Sequence, residues 1–569
     1  MKPAGGKEMP MEVRLLLTLS LMGLVLFLTP YFLKTTAPPP QPKKAAPAAK
    51  EAQPPEPVKP EPAPAPAPEK TTPPPATQTS GQKQDDHILI ETDLYRIQFS
   101  NRGAVVKRWI LKKYRGNNQQ PVDLTNQAGI ELLGAPFSLL SKQEKLSTDP
   151  NKALFAVKPA SDGLGMDFEF SDGKIHARKN FRFEANRYLV KLVSELRDQG
   201  RPVPHMVAWR GGFGDFTVVN TLSTQQTMYF ETATGKLEVN DVGVAKDGPS
   251  SVTGRYLFAG VQDQYFTAVA LPERGLSIEM QTWSDKLVFG DTGKEEPHIG
   301  VAFGGQGVNE TFLFVGPKDV DLLRRVDPRL EQVVDFGWFW FLAKPLFVSL
   351  NFVNDRYIHN YGWTIVIVTI LINILLLPLK FTSLKSMKKM SDLQPQIKEI
   401  QGRYKNLGMR DPRRQEQTQE MMALYQKNGV NPMGGCIPML LQIPFFFAFY
   451  KVLTVAIEMR GAQWLWVTDL SQPENLAIRV LPLATIASQF LMQKMTPTTT
   501  ADPQQQRIMT YMPLMFIFIF YSVASGLVLY WLTGNVVGIA QQWFFNRSMK
   551  LVPAKTKPAE TPKKKSGKN

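Results

Sequence analysis

The chain has 569 residues, 43% of them hydrophobic, a formal net charge of +16 and one cysteine. That length exceeds a single compact core, and the lone Cys436 excludes an intramolecular disulfide and a cysteine-based zinc site. Apolar residues are bunched near the start and in the last third around a long mixed region, which predicts a membrane protein with one large water-facing domain.

Residues 15–33, LLLTLSLMGLVLFLTPYFL, can cross a bilayer at about 1.5 Å per residue. No small-residue cleavage site follows, so residues 1–34 read as an uncleaved signal anchor. Residues 35–85 are rich in Pro, Ala, Lys, Glu and Thr, cannot bury a core, and predict an extended tether.

Residues 86–335 predict an all-β domain. Met166-Phe168-Phe170, Phe181-Phe183 and Tyr188-Val190-Leu192 alternate with polar neighbours, and turns such as Ser171-Asp172-Gly173 separate the runs. Many short strands of this kind argue a sandwich. A short helix is expected near its end, carrying Val320, Leu323 and Val326. Residues 336–354 contain GWFWFLAKPLFVSLNFV, too short and too interrupted by Lys344-Pro345 to span. Clustered aromatics favour an amphipathic helix lying in the membrane interface, with a buried helix of the β domain as the alternative.

Five further spans are expected: 361–379, then four within residues 436–545, at 436–457, 476–493, 508–524 and 526–545. With the anchor this makes six transmembrane helices and puts both termini on one side. Residues 380–435 and the tail 546–569 are dense in Lys and Arg, so both should be cytoplasmic and the β domain periplasmic. Within 380–435, Met390, Leu393, Ile397, Ile400, Tyr404 and Leu407 form an apolar heptad seam, broken at Gly408 to Pro412. A second helix from about Arg413 to Asn428 completes a helical hairpin.

No catalytic constellation appears. His87, His176, His205, His298 and His359 lack metal-ligand spacing, and no Gly-rich phosphate loop is present. The informative residues are polar ones inside the spans, which are costly in hydrocarbon. Thr369 and Asn373 are i,i+4 on the second span, Gln442 lies in the third, Gln489 and Gln493 are i,i+4 on the fourth, and Trp531 and Asn535 are i,i+4 on the sixth. Such stripes fit a wet cavity between the spans, or dry interhelical hydrogen bonding. The third and fifth spans are instead Phe-rich, with Phe445, Phe446, Phe516 and Phe518.

Four long motifs carry a resemblance: DFGWFWFLAKPLF (335–347), QEMMALYQKNGVNPMGGCIPMLLQIPFF (419–446), QKMTPTTTADPQQQRIMTYMP (493–513) and SGLVLYW (525–531). In these the chain resembles the YidC insertase family, which includes mitochondrial and chloroplast homologues. The anchor and large β domain are similar to its Gram-negative form. The resemblance implies a five-helix insertase core, a periplasmic β-supersandwich, and no cofactor. It implies a hydrophilic groove at Thr369, Asn373, Gln442, Trp531 and Asn535, open to cytoplasm and lipid. A hydrophobic slide along Phe445, Phe446, Phe516 and Phe518 would pass the client's apolar segment. The implied partners are nascent membrane proteins, the Sec translocon, the ribosome through the basic tail and hairpin, and membrane lipids. The family's groove carries an arginine on the second span, where this chain has Asn373. Lys380, seven residues on and near the same helical face, is the expected substitute, with simple snorkelling to lipid phosphates as the alternative.

Two other function classes fit a multispan chain with an extracytoplasmic domain. A transporter would need mid-membrane ionisable residues or repeated halves. A membrane-anchored carbohydrate-active protein would need paired carboxylates in a β-domain cleft.

Overall fold

A computed structural model describes residues 78–81, 83–142, 146–218, 224–273, 276–289, 294–404, 411, 413–430, 437–496 and 503–550. The expected signal anchor, most of the tether, Cys436 and nearly all of the basic tail lie outside the described residues. The chain divides into two compact units, Met1–Pro317 and Lys318–Asn569.

The first unit is built from three antiparallel sheets. The largest runs Lys236–Asp241, Gln226–Glu231, Tyr256–Gln262, Phe266–Pro272, Val308–Pro317, Leu189–Asp198, Ile175–Phe183, Gly165–Ser171 and Ala156–Pro159, with Arg201–Pro202 paired to Leu189–Asp198. A five-stranded sheet and a four-stranded sheet accompany it. The expected alternation is what builds the large sheet. Met166, Phe168 and Phe170 are buried on one strand, and Ile175, Ala177, Lys179, Phe181 and Phe183 share the buried face of the next. Phe99 of the four-stranded sheet meets Phe168 and Phe181 at ring separations of 5.6 and 5.1 Å. Trp109 touches Phe137, Phe183 and Trp209 at 6.0, 6.1 and 6.2 Å, so one aromatic core is shared by all three sheets.

One member of that core is a charge. Lys179 is 0% exposed, and its ammonium donates to the backbone carbonyls of Gly103 at 2.6 Å, Ala104 at 3.1 Å and Phe137 at 2.6 Å. Three protons find three acceptors, on two loops that would otherwise bury bare carbonyls. Short helix α1 (Gln127–Leu133) lies between strands in the same unit.

The second unit is helical. Helix α2 (Val320–Val326) is capped by Asp319, whose carboxylate accepts from the Asp321 and Leu322 amides at 2.9 Å each. Helix α3 (Trp340–Val353) follows and runs into a π turn, Asn354–Ile358. His359, left-handed at φ 54°, ends that turn, and Asn360 caps α4 (Tyr361–Leu375). Helices α5 (Leu377–Asp392), α6 (Gln394–Arg403) and α7 (Arg413–Lys427) cover the basic loop. Met390, Leu393 and Ile397 of the expected seam are buried with Val430, and Met421, Leu424 and Tyr425 pack against them. Helices α8 (Ile437–Val455), α9 (Val480–Met495), α10 (Pro503–Ser522) and α11 (Ser525–Lys550) complete the unit.

Helices therefore occupy each interval where a span was expected after the anchor. Among the described residues no single helix is long and apolar enough to cross a membrane alone, while Trp340–Ile358 and Tyr361–Leu375, bent by 118°, pass together. Polar residues within the longer helices lower their apolar content, and α4 and α9 are shorter, at 15 and 16 residues.

A buried carboxyl sits just beyond α8. Glu458 faces the carboxylates of Asp319, Asp321 and Asp355, and burial together with that repulsion pushes it up to about 7. Its Oε2 has no hydrogen-bond partner among the described residues. The unfolded carboxyl titrates near 4.5, so the folded state holds the proton more tightly. Stability is then fully present below that value and is lost as pH rises through about 7, by roughly 3 kcal/mol. Glu458→Gln should thus melt higher than the parent chain at pH 8 and level with it at pH 4 in detergent thermal unfolding. Equal melting shifts at both values would remove the carboxyl from this account.

Candidate functional site

The expected groove residues lie on four helices, and the structure sorts them into two groups on different faces of α11. The first centres on Lys380. Its ammonium donates to Asn373 Oδ1 at 2.6 Å and to Gln541 Oε1 at 3.4 Å. Asn373 Nδ2 donates back to the Thr369 carbonyl at 2.8 Å, and Gln541 Nε2 to the Asn373 carbonyl at 3.3 Å.

Local chain geometry explains the reach. Leu376 separates α4 from α5 but stays in the right-handed helical region, so the two helices run on with little rotation. Pro378 sits in the first turn of α5, where its missing N–H costs least. Lys380 therefore remains on the Asn373 face, and its side chain leans toward the N-terminus of the helix.

Around this group Ile372, Leu376, Leu379, Gln442, Phe445, Tyr530 and Gly534 line a small cleft of about 30 Å³. That holds a water or two, not a polypeptide segment. Gln442 is exposed. Among the described residues the lining holds no carboxylate, and the ammonium is held by neutral amide oxygens. Thr369 is fully buried, and its hydroxyl oxygen has no hydrogen-bond partner among the described residues. Amide oxygens of this kind orient a cation without neutralising it.

The second group faces α9. Asn535, 2% exposed, donates to the Thr485 carbonyl at 3.2 Å and to Ser488 Oγ at 3.0 Å. Trp531 Nε1 donates to Gln489 Oε1 at 3.4 Å. Gln542 donates to Asn546, which reaches the Met495 carbonyl. Trp531, Asn535, Gln542 and Asn546 follow a helical repeat, so this face is a polar zipper binding α11 to α9. Asn535 is thus placed away from Lys380.

The phenylalanines divide likewise. Phe446 and Phe516 both meet the Trp531 ring, at 5.2 and 6.0 Å. Phe445 lines the Lys380 cleft, while Phe518 is 79% exposed on another face of α10. Gln541 and Tyr530 of the Lys380 group, and Ser488 of the zipper, were not singled out by sequence. Gln541-Gln542 inside an apolar helix was the available signal.

Residues 353–554 match the family described as 60Kd inner membrane protein, and residues 87–349 match the YidC periplasmic domain. A membrane protein insertase YidC of Syntrophus aciditrophicus is 33% identical over 561 residues, covering 94% of this chain and 100% of the relative. Another, of Geobacter sp. (strain M21), is 32% identical over 481 residues, covering 81% of this chain and 86% of the relative. A solved structure of an active YidC insertase aligns with a TM-score of 0.36 at 18% identity, covering 82% of this chain and 94% of that one.

Proposed function

The chain belongs to the YidC family of membrane protein insertases, and from that premise we propose that it handles clients around the Lys380 group of its helical unit. It is a membrane protein insertase of the inner membrane with a periplasmic domain, from a family that is not a catalytic enzyme family. Its substrates are nascent membrane proteins.

The finer reading has six transmembrane helices, the anchor and α4, α8, α9, α10 and α11, with both termini cytoplasmic. The β domain then stands in the periplasm and α3 lies in the interface, where Trp338, Trp340, Phe341 and Phe352 are exposed. The hairpin α6–α7 and the basic tail face the cytoplasm, where the ribosome and anionic lipid are the partners of matching charge. The Sec translocon is the partner inferred for the periplasmic side.

The observation that carries the site is Lys380. It is a half-buried cation held by two side-chain amides, with Gln442 exposed beside it. A cation so placed attracts an acidic client tail, while Phe446, Phe516 and Trp531 offer an apolar path for the segment that follows. The test is site-specific photocrosslinking during synthesis of a small membrane protein. Probes at Gln442 and Phe516 should capture the nascent client, and a probe at the exposed Leu132 of the β domain should not. Absence of client adducts at Gln442 with insertion intact would overturn the site. Asn535 should resist a water-soluble thiol reagent when replaced by cysteine, because it packs against α9.

A further inference from the structure

A cleft of about 940 Å³ opens at one border of the large β sheet. One wall is Ala156–Pro159, the last strand of that sheet, which pairs with Gly165–Ser171 and with no further strand among the described residues. The opposite wall is the stretch from Lys83 to Ile88, which leads into the four-stranded sheet. Asn101, 4% exposed, links the two walls. Its side chain accepts from the Asp85 amide and donates to the Lys83 carbonyl, at 2.8 Å each. Its backbone donates to the Asp85 carbonyl at 3.0 Å and accepts from the Phe155 amide at 2.9 Å. The cleft is thus pre-formed by hydrogen bonds rather than left by loose packing.

The edge strand is open in a defined register. Ala160 N–H donates to the Gly165 carbonyl at 2.9 Å, and pairing runs on through Lys158 opposite Asp167 and Ala156 opposite Glu169. Hydrogen-bonded pairs alternate along an antiparallel ladder, so Val157 and Pro159 turn their backbone groups away from Gly165–Ser171 and toward the cleft they line. They offer one N–H and two carbonyls, because proline has no N–H. That suits an added strand of about three residues and no more. Beyond it the edge is already taken, since Thr79 exchanges two backbone bonds with Ser171, at 3.0 and 2.7 Å.

Ile88, Val157 and Met166 give the cleft apolar lining, while Asp85 and Asp86 give it charge. Both carboxylates bond to neutral groups. Asp85 accepts from the His87 amide and Asp86 from Gln84 Nε2, at 2.8 Å each. Two carboxylates against one ammonium in the lining, that of Lys83, leave an excess of one negative charge. Lys158 of the edge strand is paired with Glu169 at 3.4 Å. An extended peptide that alternates apolar and basic residues matches this surface. Its backbone completes the ladder, one row of side chains meets the apolar lining, and the other meets Asp85 and Asp86.

We infer that this cleft docks an extended, lysine-bearing stretch of client chain that has already crossed the membrane. Such stretches belong to clients with long translocated segments, because short translocated loops are poor in Lys and Arg whereas long ones cross regardless of charge. The cleft is opposite in sign to the Lys380 group, so the two sites handle different parts of a client. A strand this short binds weakly, but a client held by the same chain is presented at high effective concentration. The inference rests on the periplasmic placement of the β domain and not on the Lys380 site.

The experiment uses the full chain in zwitterionic lipid nanodiscs and two short fluorescein-labelled peptides, one alternating Val with Lys and one alternating Val with Ser. Anisotropy should show the lysine peptide binding about tenfold more tightly than the serine peptide. Asp85→Asn together with Asp86→Asn should remove that difference and leave the limited-proteolysis pattern unchanged. Val157→Pro, tolerable on an edge strand, removes the outward N–H and should weaken both peptides. Equal affinity for the two peptides, or affinities indifferent to the carboxylates, would overturn the proposal. In cells, a photocrosslinking probe at Lys158 should capture the translocated stretch of a client with a long lysine-bearing segment. Adducts that join two copies of the chain, or that run to residues 35–77, with none to the client, would assign the cleft to another occupant and overturn it. Client adducts at Lys158 without any at Gln442 would support this cleft and sink only the Lys380 reading.

Discussion

Lys179→Met should destabilise the β domain by about 3 kcal/mol or more, the cost of leaving buried carbonyls unpaired in a well-packed core. Methionine matches the length and apolar volume of the lysine stem, so packing changes little. What is lost is the ammonium that joins Gly103, Ala104 and Phe137. Those carbonyls lie on two connections with left-handed residues, Gly103 at φ 74°, Ala104 at 48° and Phe137 at 71°. Such backbone is held in place by its partners rather than by its own preference. Limited proteolysis of the full chain should cut within residues 87–317 at a temperature well below that needed for the parent. Lys179→Arg should fail too, because a planar fork cannot point three donors at these three oxygens. Unchanged protease resistance in the methionine variant would show that the carbonyls find other donors.

Lys179 also marks where reading the strands stops. Alternation identified the strands around it, since Phe168, Phe170, Phe181 and Phe183 repeat every second residue and all are buried. The same alternation places residue 179 on the buried face, between Ala177 and Phe181. A lysine there is unexpected from composition, because its acceptors come from loops 42 to 76 residues away. Sheet order was equally out of reach. Val308 pairs with Glu195 and Phe266 with Pro317 across long intervals of chain, and no local pattern encodes those pairings.

In the helical unit, periodicity located the helices and the polar stripes, but not which stripe faces which helix. Asn535 belongs with Ser488 and Thr485, and Thr369 with Asn373, whereas the sequence pattern put Asn535, Thr369 and Asn373 in one cavity, with dry interhelical bonding as the alternative. The cause is the angular step between successive residues of α11. Residues 534 and 541 face one neighbour, while 531, 535, 542 and 546 face the other. A one-residue step along a helix turns a side chain by about 100°, so Gly534 and Asn535 look into different interfaces. Phe516 and Phe518 separate for the same reason, one against Trp531 and one fully outward.

Lys380→Gln should lower insertion of clients with acidic tails by about tenfold relative to clients with neutral tails, which corresponds to about 1.4 kcal/mol of lost attraction in a partly wet site. Glutamine keeps a polar, helix-compatible side chain at the position, so the helix survives. Only the charge goes. Among the described residues the lining of the cleft contains no carboxylate to compensate Lys380, and the two amide oxygens that hold it leave its positive charge available. Asn373→Ala should be mild, since it removes one neutral acceptor while Gln541 remains. Asn373→Arg should rescue Lys380→Gln, because it restores a cation on the same face, about two turns along the helix. Gly534 opposite leaves room for it, as a Cβ there would meet no atom within 4 Å. The readout is protease protection of the translocated tail for a matched pair of clients differing only in tail charge. Equal loss for both clients, or no rescue by the arginine, would return Lys380 to a charge that merely fixes topology at the membrane boundary. Selective loss together with rescue would mean that the site needs a positive charge near this position on the face shared by α4 and α5, supplied here by Lys380 in place of residue 373.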